Sequence, residues 1–180
     1  MQRTIKHIVL VLIVAVFFTS CNDGKSLQTY FVDNQEASNF ISQDIPISMV
    51  EIDDSKFTDE QKEAYKSVKR LNFLGYKVEG TEAETFKAEL AKVKTILSDK
   101  KYNDLMEFSD KGNKIIVKYI GTDDEADEVV IFGSAKELGF GIVRVLGNDM
   151  NPDKMATLFS AMQNANVDEN QVQDIMNFFK

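Results

Sequence analysis

Hydrophobic spacing changes several times along this chain, and each change marks a different kind of element. Ile8 to Phe18 is an unbroken apolar run, closed by Thr19, Ser20 and Cys21. Beyond it, Leu27 to Asn34 predicts a short helix, and Phe40 to Ile45 predicts a strand ended by Pro46. Thr58 followed by Gln61 is a capping box, and Ala64, Tyr65 and Val68 supply the apolar face of a helix from about Asp59 to Val68. Arg70 to Val78 alternates with apolar residues on both faces, which predicts a strand. Thr81 and Glu84 then form a second capping box. Phe86, Leu90, Val93 and Leu97 follow at i, i+4, i+7 and i+11, one stripe of a helix.

From Tyr102 the period becomes two. Strands are predicted at Tyr102 to Phe108, Lys114 to Ile120, Val129 to Ser134 and Phe140 to Leu146, separated by Asp110 to Asn113, Thr122 to Glu128 and Ala135 to Gly139. Connections this short hold no crossover helix, so the four strands are expected as an antiparallel meander. Asn151 and Pro152 open the next helix as N-cap and first residue, with Met155, Leu158, Phe159 and Met162 along one stripe. Asp168 and Gln171 start a last helix, striped by Val172, Ile175, Met176 and Phe179. This order predicts an α+β fold: a single twisted, largely antiparallel sheet with helices packed on a face.

The first twenty residues follow other rules. Arg3, Lys6 and His7 precede the apolar run, and no acidic residue occurs before Asp23. A positive start and a short apolar stretch are the layout of an export signal, and the stretch is shorter than the ~20 residues a membrane-spanning helix needs. Phe17-Phe18-Thr19-Ser20-Cys21 resembles the lipobox cut by lipoprotein signal peptidase, with Phe18 where the pattern favours Leu. That resemblance implies a diacylglyceryl group on the Cys21 thiol and an acylated amine. The alternative is an ordinary cut that leaves Cys21 as a free thiol. The expected organisation is therefore a lipoprotein signal peptide over 1–20, a tether over 21–26 and one α+β domain over 27–180. Two or more acyl chains hold a protein stably at a bilayer where one does not, so the membrane is the first expected partner.

Composition narrows the chemistry. The chain of 180 residues carries 21 basic and 29 acidic side chains, a formal charge of −8. Removing residues 1–20 takes Arg3 and Lys6 and makes it more negative. Such a charge argues against nucleic acid, whose binding rests on neutralising phosphates. The only His is His7 and the only Cys is Cys21, and there is no Trp. After processing, imidazole acid-base chemistry, thiol nucleophiles, Cys/His zinc sites and disulfides are excluded. No catalytic residue, cofactor or metal ligand is assigned.

Five constellations invite sharper readings. The acidic stretch Asp123 to Glu128 has the oxygens a calcium ion wants, but nothing fixes their geometry, and a solvated hairpin connection explains it. Asp149, Asn151 and Asp153 imitate the start of a calcium loop, yet Lys154 stands where Gly is needed and Ser160 where Glu is needed. Ser98-Asp99-Lys100-Lys101 has the S-x-x-K spacing without its S-D-N or K-T-G companions, and reads as a helix end. Gly133, Gly139, Gly141 and Gly147 lack the Lys-Ser/Thr of a phosphate loop and read as bulges or close backbone approaches. Arg144, among Phe140, Ile142 and Leu146, would mark an anion site if it pointed inward; an outward or edge-blocking position is expected instead.

The lipobox, the short helix, the strand from Phe40 to Ile45 ending in Pro46, and the run Val145-Leu146-Gly147-Asn148-Asp149-Met150-Asn151-Pro152 before an amphipathic helix resemble a family of small Bacteroidota lipoproteins described as a domain of unknown function. The resemblance implies fold and location and carries no catalytic residue across. The expected protein is lipid-anchored in the cell envelope, at the outer membrane, facing either the periplasm or the surface. It is expected to be a non-catalytic module that binds an envelope protein or peptide. The alternative is a hydrolase using Asp and Glu carboxylates alone, which would require two of them across one cleft.

Overall fold

The computed structural model describes residues 26–50, 52–78, 83–110, 113–162 and 173–179. Among the described residues five helices and six strands are laid out as α1 (Leu27–Asn34), β1 (Phe40–Pro46), a 3-10 turn (Ile47–Met49), α2 (Asp59–Ser67), β2 (Val68–Lys77), α3 (Ala83–Leu97), β3 (Asn103–Asp110), β4 (Asn113–Gly121), β5 (Ala126–Ala135), β6 (Gly139–Met150), α4 (Pro152–Met162) and α5 (Gln173–Phe179). All six strands form one open sheet in the order β1-β2-β6-β5-β4-β3, and every neighbouring pair is antiparallel. The fold is α+β. The last four strands are the consecutive meander that their alternation predicts.

Side-chain chemistry sets the helix starts. The Ser26 hydroxyl accepts the Thr29 N–H at 3.1 Å and begins α1. Thr58 and Gln61 close the capping box of α2, the Gln61 side chain accepting from the Thr58 N–H at 2.9 Å. The Asn151 side chain accepts the Lys154 N–H at 3.0 Å, which starts α4 at Pro152. Thr81, Asp168 and Gln171, read as parts of two further helix starts, lie outside the described residues, as does Cys21.

The sheet has a core on each side. On the first face, Leu74 and Tyr76 of β2, Val130 and Phe132 of β5, and Phe140 and Ile142 of β6 pack under α1 and α3. Phe86, Val93 and Leu97 of α3 are buried there and Leu90 packs against them, as their spacing predicts. On the second face, Val117, Val129 and Val145 pack under α2 and α4 with Ala64, Met155 and Leu158. Helices thus cover both faces, where the sequence reading placed them on a face. The cause is visible in β5 and β6: Val129 and Ile131 alternate with Val130 and Phe132, and Val143 and Val145 with Phe140 and Ile142. A strand apolar on both sides needs cover on both.

Candidate functional site

The second face holds the most developed concavity. Three cross-strand rows build its floor. Leu71, Val145 and Val129 are in register across β2, β6 and β5; Phe73, Val143, Ile131 and Val117 form the next row; and Gly75, Gly141, Gly133 and Ile115 form the third. Over the first two rows lies a cavity of about 350 Å³, walled by Ile47, Val50 and Ile52 before α2, by Tyr65 of α2 and by Met155, Phe159 and Met162 of α4. That size lies at the low end of small-molecule pockets. Ile131 and Val143 are only half-buried although both strands are central, because their side chains face this space.

The lining is apolar. Its one side-chain hydroxyl belongs to Tyr65 and is donated to the Val50 carbonyl at 2.9 Å, which ties the segment before α2 against the cavity. Burial raises the pKa of Tyr65 above its ordinary value, with Asp54 nearby adding to the shift. Among the described residues no acidic or basic side chain lines the space.

The glycine row extends the floor outward. Phe73 folds its ring over Gly75 and Gly141, and Phe179 of α5 approaches Gly75 closely, leaving no room for a Cβ there. At Gly133 a Cβ would meet nothing within 4 Å. A shallower concavity of about 270 Å³ lies over this row, bounded by Ile115, Leu138 and Phe179. Phe108, Ile115 and Leu138 are exposed large apolar side chains, and the Phe108 ring sits 6.2 Å from that of Phe159 at the cavity wall. Along β4, β5 and β6 the rows are two residues apart, so the enclosed and shallow spaces share one continuous apolar floor.

The first face carries a polar cluster inside its core. Arg144 makes two hydrogen bonds of 2.8 Å to the two carboxylate oxygens of Glu128, with side chains only 12% and 10% exposed. The guanidinium lies 5.5 Å from the centre of the Phe31 ring, and the Tyr102 hydroxyl nearby accepts the Leu27 N–H at 3.3 Å. The outward or edge-blocking position expected for Arg144 is therefore corrected: β6 is a central strand, and α1 covers that face. Glu128, read as part of a solvated loop, belongs to β5 and faces inward. Arg144 gives Nε and Nη2 to the two oxygens of Glu128, so the geometry is that of an internal ion pair.

The other sequence-marked residues lie apart from both features. The Ser98 hydroxyl is donated to the Thr95 carbonyl at 2.7 Å, at the end of α3. Gly139 has φ +127 in the β5–β6 hairpin, and Gly147 admits the Ser67 carbonyl so closely that a Cβ would collide with it. Asp149 takes φ 54, a left-handed conformation that Asp tolerates. Among the described residues no group of three or more His, Cys, Asp or Glu side chains is placed to hold a metal ion. Two carboxylates, Asp53 and Glu84, have lowered pKa values, through hydrogen bonds to Ser55 and Lys87 respectively. No helix among the described residues is long and apolar enough to cross a membrane.

Sequence reasoning missed the cavity. The signal was the apolar second face of β4, β5 and β6; the walls from Ile47 to Ile52 sit in irregular chain, where no periodicity could flag them.

An open six-stranded antiparallel sheet with a helical layer on each face, and an apolar slot under one layer, defines the chain as an α+β protein of two cores. It belongs to the family described as domain of unknown function (DUF4252), whose family model matches residues 30–158. No curated protein and no solved structure matches the chain.

Proposed function

We propose that the protein is a lipid-anchored module of the cell envelope, held at the outer membrane through Cys21, whose mature domain binds a partner and does not catalyse. The single observation that carries the binding reading is the slot: an apolar cavity whose sheet floor runs on, row by row, to the shallower concavity beside exposed Ile115 and Leu138, with exposed Phe108 against its Phe159 wall. Exposed apolar side chains grouped around a concavity mark interaction sites. The partner class is an envelope protein or peptide, which would seat apolar side chains in the slot from its open end. The hydrolase alternative would require two carboxylates across a cleft, and among the described residues none lines this one.

Site-directed photocrosslinking in the native envelope tests this. A photoreactive residue at Leu138, beside the glycine row, is expected to trap a discrete adduct, and the same residue at exposed Lys94 of α3 is not. Equal trapping at both positions, or none at Leu138, would overturn the assignment of the slot.

A further inference from the structure

The geometry points to a ligand of a different class from a peptide for the enclosed part of the slot: a single unbranched alkyl chain of about twelve carbons, such as that of a medium-chain fatty acid. This rests on the reading of the slot as a binding site and specifies what enters it. Three observations converge. First, the enclosed space of about 350 Å³ holds roughly a dozen methylene-sized groups, taking each at the ~30 Å³ share of a small molecule such as water. Second, the floor is long and narrow. From Val145 to Gly141 on β6 and from Val129 to Gly133 on β5 it runs four residues, ~13 Å at the rise of a strand. At its outer end the floor is open at Gly133, while the Phe73 ring lies over Gly75 and Gly141.

Third, among the described residues the lining side chains offer no free hydrogen-bond donor. The Tyr65 hydroxyl is already donated to Val50, and the other lining side chains are hydrocarbon or thioether. A peptide pushed into this space would leave backbone N–H and C=O groups without partners, at the full cost of their desolvation. An alkyl chain carries no such groups. Its polar head would remain at the glycine row, where Gly133 faces open space, so the site would be indifferent to the charge of that head.

The test uses the chain from Asn22 to Lys180, which retains every element described above, and calorimetric titration below the micellar concentration of each ligand. Laurate and 1-dodecanol are expected to bind alike, one per chain. Affinity is expected to rise about fourfold per added methylene from six carbons upward and to level off near twelve. Gly133→Leu, placed where a Cβ meets nothing, should weaken laurate binding at least tenfold without lowering the melting temperature. Val143→Phe, which fills the cavity from its floor, should do the same. Absence of saturable laurate binding would overturn the inference, as would affinity still climbing through sixteen carbons, or binding unchanged by Gly133→Leu. If laurate fails to bind while the Leu138 adduct forms and is lost in Gly133→Leu, the alkyl ligand is refuted and the binding module stands. If both fail, both readings fall.

Discussion

Arg144 shows what a single residue's sequence context hides. Its neighbours Phe140, Ile142 and Leu146 place it on an apolar strand face, which is legible; that β6 lies between β2 and β5 depends on pairings across the chain, which is not. Burial of the Arg144–Glu128 pair makes the two members unequal to their sum. Arg144→Leu leaves a carboxylate in the core without its two hydrogen bonds and is expected to cost about 3–5 kcal/mol. Arg144→Leu with Glu128→Leu removes the orphan and should recover much of that loss, as buried pairs replaced by apolar groups often do. Urea denaturation of both variants checks this; a double variant as unstable as the single would show that packing with Phe31 matters more than charge. Tyrosines give a second residue-level expectation. Burial raises the pKa of Tyr30, assisted by Glu89, and raises those of Tyr65 and Tyr102. The unfolded chain ionises these phenols near pH 10 while the native one keeps them protonated, so their contribution is complete below pH 10 and declines as pH rises beyond it. The urea midpoint is therefore expected to be flat from pH 8 to 9.5 and to fall by pH 11, with a shallower fall in Tyr102→Phe.

At the scale of elements, legibility follows the range of the interactions. Capping boxes and helical stripes are local, and α2, α3 and α4 begin or pack as their residues predict. The strands are also legible, though β5 starts at Ala126 and β6 runs to Met150, beyond the apolar alternation. Backbone pairing continues through polar Glu128, opposite Ile120 and Leu146, and on to Ala126 opposite Met150. The glycines divide by what each strand demands. At Gly139 a positive φ turns the hairpin and a Cβ would strike the Tyr76 carbonyl, so Gly139→Ala should destabilise by at least ~2 kcal/mol. At Gly133 the φ is ordinary and the space open. Gly133→Ala should be neutral or stabilising by about 0.5 kcal/mol, because it restricts the unfolded chain. Thermal melts of the two variants separate a glycine needed for the turn from one that shapes a surface, and a loss at Gly133 comparable to that at Gly139 would contradict the distinction.

At the scale of the whole molecule, the start of α1 and the open end of the slot lie toward opposite ends of the strands. Ser26 begins α1, and the next residue, Leu27, is buried with its N–H bonded to Tyr102, one residue before β3 pairs Asn103 with Tyr119. Tyr119 pairs in turn with Val129 at one end of β5, whereas the open end of the slot lies beyond Gly133, near the hairpin at Leu138. Six residue-to-residue steps of strand from Val129 to Ala135 separate these ends by ~20 Å. Five residues from Cys21 to Lys25 reach at most ~18 Å even when extended, so a lipid on Cys21 would keep the start of α1 near the bilayer and turn the slot away from it. Such an orientation suits a module that meets its ligand off the membrane rather than within it. Two measurements on the processed protein follow. Cys21→Ser is expected to abolish incorporation of a clickable fatty acid, and label retained on that variant would show another acceptor. In liposomes carrying a quencher on their headgroups, a fluorophore at Ser26 is expected to be quenched and one at Leu138 to stay bright. Equal quenching at both sites would mean that the domain lies flat with its slot against the lipid, in which case the alkyl chain would enter directly from the bilayer.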